Sequence, residues 1–190
     1  MKTLAVHPWP GPVPAPRDGL LVLLLRTDPR RDAARRQVRQ AAREALALLL
    51  GLAVDDIDIK SEPGAPPRIV VAGKASGIGC SFAHEEGHAL AAINLHGAIG
   101  VDLMRVRDIP DWQAVARDYL GPAASDALLA LSAADRPRAF AEAWTRREAA
   151  LKRQGQQLGE WREDISAPTI MLTVPVFDLV GCASAICKIL

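Results

Sequence analysis

Short apolar runs alternate with polar, glycine-bearing breaks along most of this chain. GLLVLLLR, from Gly19 to Arg26, is bounded by breakers and predicts a buried strand. Asp28-Pro29 then offers an N-cap followed by proline at the first helical position. The helix it opens runs to about Leu50, where Gly51 stops it. DDIDIKSEPGAPPRIVVAGKA reads as a short strand, a proline-rich turn and a second strand from about Arg68 to Ala72. CSFAH, HALAAINL and AIGVDLM follow, separated by EEG and HG, and glycine-containing breaks of that length predict hairpins.

Beyond that meander the pattern changes to helical. A helix is expected around Asp111 to Leu120, stopped by Gly121-Pro122, with a short one near Ser125 to Leu131. A longer helix starts after Asp135, with Pro137 in its first turn, and ends at Gly155. TIMLTV and LVGCASAICKIL close the chain as two strands joined by a turn near Pro175 to Asp178. Strand, helix and strands thus recur in each part without any visible sequence repeat. The prediction is α+β: two similar halves related by a pseudo-twofold, each a small antiparallel sheet packed on a long helix. Residues 1–18 form an extended arm packed through Trp9, 19–104 the N-terminal half and 105–190 the C-terminal half.

Composition narrows the function classes. The 190 residues carry a formal net charge of +1, which argues against a generic nucleic-acid binder. Cys80, Cys182 and Cys187 are an odd number without paired spacing, so a reducing cytoplasm fits better than a disulfide framework. No run approaches the roughly 18 uninterrupted apolar residues of a membrane helix. The start, MKTLAVHPWPGPVPAP, has no apolar core suited to a signal peptide. A cytoplasmic protein without membrane contact is expected.

Four local features carry chemistry. His84, Glu85 and His88 spell H-E-x-x-H, which on a helix grips zinc with the glutamate as base. The longer zinc signature needs glycine at 91 and histidine at 94, where Ala91 and Asn94 stand. Gly87 inside the motif also disfavours a helix, so a zinc hydrolase is a remote alternative. Asp102 shares a strand face with Gly100 and Met104, opposite Ile99, Val101 and Leu103, and a carboxylate among such neighbours needs a cation, a donor or water. The plainer alternative is an aspartate solvated at the sheet rim. Glu148 recurs at helical spacing with Phe140, Trp144 and Leu151, with Lys152 one turn on. An exposed Glu–Lys pair is the alternative there. Gly73-Lys74 after a strand is a weak phosphate signal.

In order along the chain, AGKA, SFAHEEG, IGVDLM and WTRREAALKRQG resemble the 4′-phosphopantetheinyl transferases of the two-domain, Sfp-like branch. They correspond to that family's G-K-P, F-x-S-H, G-x-D-x-E and W-x-x-K-E-A-x-x-K patterns, over roughly Arg31 to Leu158. The resemblance implies transfer of the phosphopantetheine arm of coenzyme A to a serine of an acyl or peptidyl carrier protein. It assigns magnesium (or manganese) to Asp102 and Glu148, and the proton-accepting role to Glu148. Lys152 and His84 would meet the phosphates and offset charge on the bridging oxygen. Lys74 and Gly73 would border the adenine and 3′-phosphate, with Arg31, Arg30 or Arg68 on the 3′-phosphate. One chain holding both halves would act as a monomer.

Three positions depart from the pattern. Ala75 stands for a proline and Ala83 for a hydroxyl residue. Met104 stands for the second acid of G-x-D-x-E, and a thioether is a poor ligand for a hard cation. Glu85 is expected to replace that acid as metal ligand. The departures also raise an alternative, a relative that binds coenzyme A or a carrier without transferring anything.

Overall fold

The computed structural model describes residues 3–163 and 168–185. Its described strands form two sheets. The first is six-stranded, in the order β2 (His7–Trp9), β3 (Leu20–Arg26), β7 (His88–Asn94), β6 (Lys74–Glu85), β5 (Arg68–Val71) and β4 (Ile57–Lys60). The second is four-stranded, in the order β1 (Thr3–Ala5), β9 (Thr169–Thr173), β10 (Leu179–Ala185) and β8 (Ile99–Arg105). The architecture is α+β, as the element order predicts. The N-terminal arm does more than pack through Trp9: β1 pairs with β9 and β2 with β3, both in parallel, so it adds an edge strand to each sheet.

Alternation along the strands sorts the core into layers. Leu21, Leu23, Leu25, Ala89, Ala91 and Ile93 face α1 (Arg31–Leu50), whose Val38, Ala41, Ala42, Ala45 and Leu46 bury against them. Small alanines let that helix lie close to the sheet. The opposite residues, Leu20, Val22, Leu24, Leu90 and Ala92, pack between the sheets against Ile99, Val101, Leu103, Leu172 and Ala183. The outer face of the four-stranded sheet is covered by α4 (Arg136–Gln154), which packs chiefly on β8 and β10. The chain crosses from one sheet to the other in the turn after β7, so β8, the strand of Asp102, belongs with the C-terminal strands.

Element ends differ from the sequence reading where polar side chains compete with the backbone. The first helix starts at Arg31, not at Pro29: the Asp28 carboxylate accepts the Arg30 amide at 2.8 Å, making a local turn that delays the helix. Gly51 ends it with φ 66°, as expected. The helix expected over Asp111 to Leu120 splits into α2 (Trp112–Val115) and a π-helical turn (Ala116–Leu120). Pro122 then opens α3 (Pro122–Leu129), earlier than the expected Ser125, because proline suits a first helical turn. Gly155, with φ 69°, stops α4. Cys80 and Cys182 are free and buried, and the Cys187 end of the last expected strand lies outside the described residues. Among the described residues no helix is long and apolar enough to cross a membrane.

Candidate functional site

The H-E-x-x-H segment is a hairpin. His84 and Glu85 end β6, Gly87 turns the chain with φ 73°, and His88 begins β7 opposite Glu85. Two imidazoles on paired strands do not stand one helical turn apart, and among the described residues no three His, Cys, Asp or Glu side chains form a ready metal cluster. The zinc hydrolase reading is thereby corrected. The strand also separates two neighbours. Cys80 and Phe82 face α1 while Ala83 faces the space between the sheets, so His84 and Glu85 point to opposite sides of β6.

On the Glu85 side, one cavity of about 410 Å³ is lined by Glu85, Asp102, Met104, Arg107, Trp144, Glu148 and Lys152, among others. Three elements build it. β6 contributes Glu85, whose carboxylate accepts the Arg105 amide at 3.2 Å. β8 contributes Asp102, buried on the face toward α4. α4 contributes Glu148 and, one turn later, Lys152. The Lys152 ammonium donates to Asp102 Oδ1 at 2.7 Å and to the Val101 carbonyl at 3.1 Å. Burial pushes the Asp102 carboxyl up to about 6; Lys152 pulls it down, and the negative charge of Glu148 pushes it further up. That repulsion means the two carboxylates share one electrostatic environment. The solvated-rim alternative for Asp102 is removed by its burial.

A second group gathers on the α1 side. Burial drives the His84 imidazole down to about 4, and the cations Arg35, Lys152, Arg31 and Arg39 add to the effect in that order. Its Nε2 is buried with no hydrogen-bond partner among the described residues. Arg39 lies 5.6 Å from the Phe82 ring centroid and donates to Ser61 Oγ at 2.9 Å. The buried imidazole nitrogen thus lies within the field of four cations. Arg31 acts on His84, whereas Arg30 is an exposed residue paired with Asp28 at 3.1 Å.

A third feature lies beyond Lys152. A cavity of about 240 Å³ is lined by Gly64, Ala65, Pro66, Pro67, Ser81, Phe82, Lys152 and Gly155, among others, so Lys152 borders both spaces. Gly73 and Lys74 line none of the cavities described. They sit at the exposed tip of the β5–β6 hairpin, where Ala72 and Gly73 adopt φ 47° and 77°. Arg68 is exposed and pairs with Glu62.

The residues near these spaces to which the sequence assigns no individual role are Arg35, Arg39, Arg107 and the proline loop at 64–67. The first two carried a signal: with Arg31 they repeat every four residues on one helix face. Ala83 faces the inter-sheet core, so the hydroxyl missing there would not have entered either cavity. Met104 lines the Glu85 cavity and packs with Ile109, Trp112 and Phe140.

Residues 98–177, which include Asp102, Glu148 and Lys152, match the family model described as the 4′-phosphopantetheinyl transferase superfamily. Over 192 aligned residues the chain is 27% identical to the 4′-phosphopantetheinyl transferase HetI of Nostoc sp. (strain PCC 7120 / SAG 25.82 / UTEX 2576), covering 92% of this chain and 81% of that relative. In both comparisons the chain is similar to 4′-phosphopantetheinyl transferases.

Proposed function

We propose that the protein moves the 4′-phosphopantetheine arm of coenzyme A to a serine hydroxyl of an acyl or peptidyl carrier protein, as a cytoplasmic, monomeric enzyme of the two-domain, Sfp-like branch. The two sheet-and-helix units would be its related halves. The observation that carries the reading is the convergence of Glu85, Asp102, Glu148 and Lys152 on one cavity, with an unpartnered His84 nitrogen among arginines behind it.

The donors fit magnesium. Carboxylate oxygens are its preferred ligands, and the cavity is lined by Asp102, Glu148 and Glu85, which do not form a ready three-ligand cluster among the described residues. Magnesium is commonly held by one or two carboxylates, with substrate phosphates and water completing its shell, so a closed protein cage is not required. Manganese accepts the same donors. When bound, the ion would neutralise the pyrophosphate and fix its geometry.

The chain's own residues supply the rest. Glu148, directly or through a water, takes the proton from the carrier serine as its oxygen forms a bond to phosphorus. The phosphorus–oxygen bond to the departing 3′,5′-ADP breaks in the same displacement. Lys152 donates to the pyrophosphate and offsets the charge growing on the bridging oxygen. His84, on the other side of β6, is assigned to the nucleotide's phosphates with Arg31, Arg35 and Arg39, and not to the bridging oxygen. The cavity beside Pro66 and Pro67 suits the nucleotide half, in place of Gly73 and Lys74. Arg68, which follows that loop, remains a candidate for the 3′-phosphate, and Arg30 is the weaker one.

Release of 3′,5′-ADP from coenzyme A tests the reading. It should require an apo-carrier and magnesium, and Glu148→Gln should abolish it. Release that is indifferent to the carrier would overturn the assignment.

A further inference from the structure

Lys152 is already engaged where the implied cation would bind. Its ammonium spends two of its three donors on Asp102 Oδ1, at 2.7 Å, and the Val101 carbonyl, at 3.1 Å. The Asp102 side chain is 13% exposed, so without a positive partner its ionised form would be costly, and Glu148 adds repulsion. The ammonium thus does in the free protein part of what a divalent cation would do.

The helix that carries the lysine lies directly against the strand. A Cβ at Gly100 would stand 1.9 Å from the Ala149 carbonyl oxygen and 2.5 Å from the Arg153 amide nitrogen, so β8 and α4 are already in close contact at this point. The lysine's flexible stem can move the charge without parting that contact. An outlet exists, because the 31%-exposed Lys152 side chain borders both cavities.

We propose that Lys152 is a stand-in for the divalent cation, holding Asp102 until a nucleotide diphosphate in the neighbouring cavity draws the ammonium away. This rests on the metal and coenzyme A reading above and adds a binding rule to it. A metal arriving alone must strip the ammonium from both acceptors and leave it unpaired. A metal arriving with coenzyme A finds the ammonium re-paired on a phosphate. Metal and coenzyme A therefore bind with positive coupling, and linkage makes the coupling reciprocal.

The test is titration of Mn(II) into the full chain, with free ion read by electron paramagnetic resonance, in the absence and presence of coenzyme A. Coenzyme A alone serves as the blank, and circular dichroism checks each variant's fold. Wild-type protein should bind Mn(II) about tenfold or more tightly once coenzyme A is saturating. Lys152→Met and Lys152→Gln should each bind Mn(II) alone about tenfold more tightly than wild type, with the coupling reduced toward none. Variants that bind Mn(II) no more tightly than wild type would overturn the stand-in role. Asp102→Asn separates the two levels. If it abolishes Mn(II) binding while the Lys152 variants fail to tighten it, the metal site stands and the stand-in falls. If it leaves Mn(II) binding unchanged, the metal site falls and takes the stand-in with it.

Discussion

Gly100 of β8 lies under Ala149 of α4 so closely that a Cβ would stand 1.9 Å from the Ala149 carbonyl oxygen. The obstruction is backbone and cannot swing aside. This contact sets how near Asp102, two residues along the strand, comes to Glu148 and Lys152 on the helix. Gly100→Ala should therefore cost about 1–3 kcal/mol in urea unfolding, as overpacking does. It should also reduce transfer activity far more than a surface change of equal size. Unchanged stability would mean that helix and strand can part without consequence.

Asp102 and His84 predict opposite pH dependences of stability in the metal-free protein. Burial raises the Asp102 carboxyl from 3.8 to about 6, so between those values the folded state holds a proton that the unfolded chain has lost, and stability falls as pH rises. Burial lowers the His84 imidazole from 6.5 to about 4, so in that window the unfolded chain holds the extra proton, and stability rises with pH. The two slopes oppose one another in wild type. Asp102→Asn should unmask a rise in stability between pH 4 and 6.5, and His84→Gln a fall between pH 4 and 6. Urea midpoints in buffer with chelator read this directly; two variants with the same slope would contradict it.

Glu85 and Met104 line the same cavity as Asp102, one from each sheet. Glu85→Ala should raise the magnesium concentration for half-maximal transfer about tenfold, the order of one lost charge-assisted contact. Met104→Glu in that background should recover much of the loss by returning an oxygen donor to the same space. A magnesium titration unaltered by Glu85→Ala would remove Glu85 from the site.

His88 is the control for the abandoned zinc motif. It begins β7, where its Nδ1 lies 3.4 Å from the Glu86 carbonyl oxygen, and it lines none of the cavities described. His88→Ala should keep transfer activity within about twofold, since surface changes usually shift stability by less than 0.5 kcal/mol. Loss of activity together with loss of bound zinc would restore the protease-like reading.

What could be read from the sequence follows the range of the interactions involved. Strands β3 to β8 and helices α1 and α4 are fixed by short-range periodicity and by breakers such as Gly51 and Gly155, and the expected bounds lie within a few residues except at β6, which begins at Lys74, six residues before the CSFAH run. The two faces of β8 were predicted as well, and with them Asp102's position beside Met104. Opposite faces for His84 and Glu85 follow from the same alternation. Harder to read were contacts between distant segments. The proline loop reaches the second cavity because Pro66 packs near Gly155 at the end of α4, with 3.2 Å from a Cβ built there to the proline ring. Nothing local to Gly64–Pro67 signals that. Gly73-Lys74 matches the family pattern in its letters, and its turn geometry makes a hairpin tip. The parallel pairing of β1 with β9 is likewise a long-range event, invisible in a three-residue strand.

The most direct measurement is the intact mass of an apo-carrier protein after incubation with this chain, coenzyme A and magnesium. The account predicts that the carrier gains the mass of one phosphopantetheine group on its serine, and that Asp102→Asn or Glu148→Gln prevents the gain. A carrier of unchanged mass beside the folded wild-type protein, across acyl and peptidyl carriers alike, would contradict it.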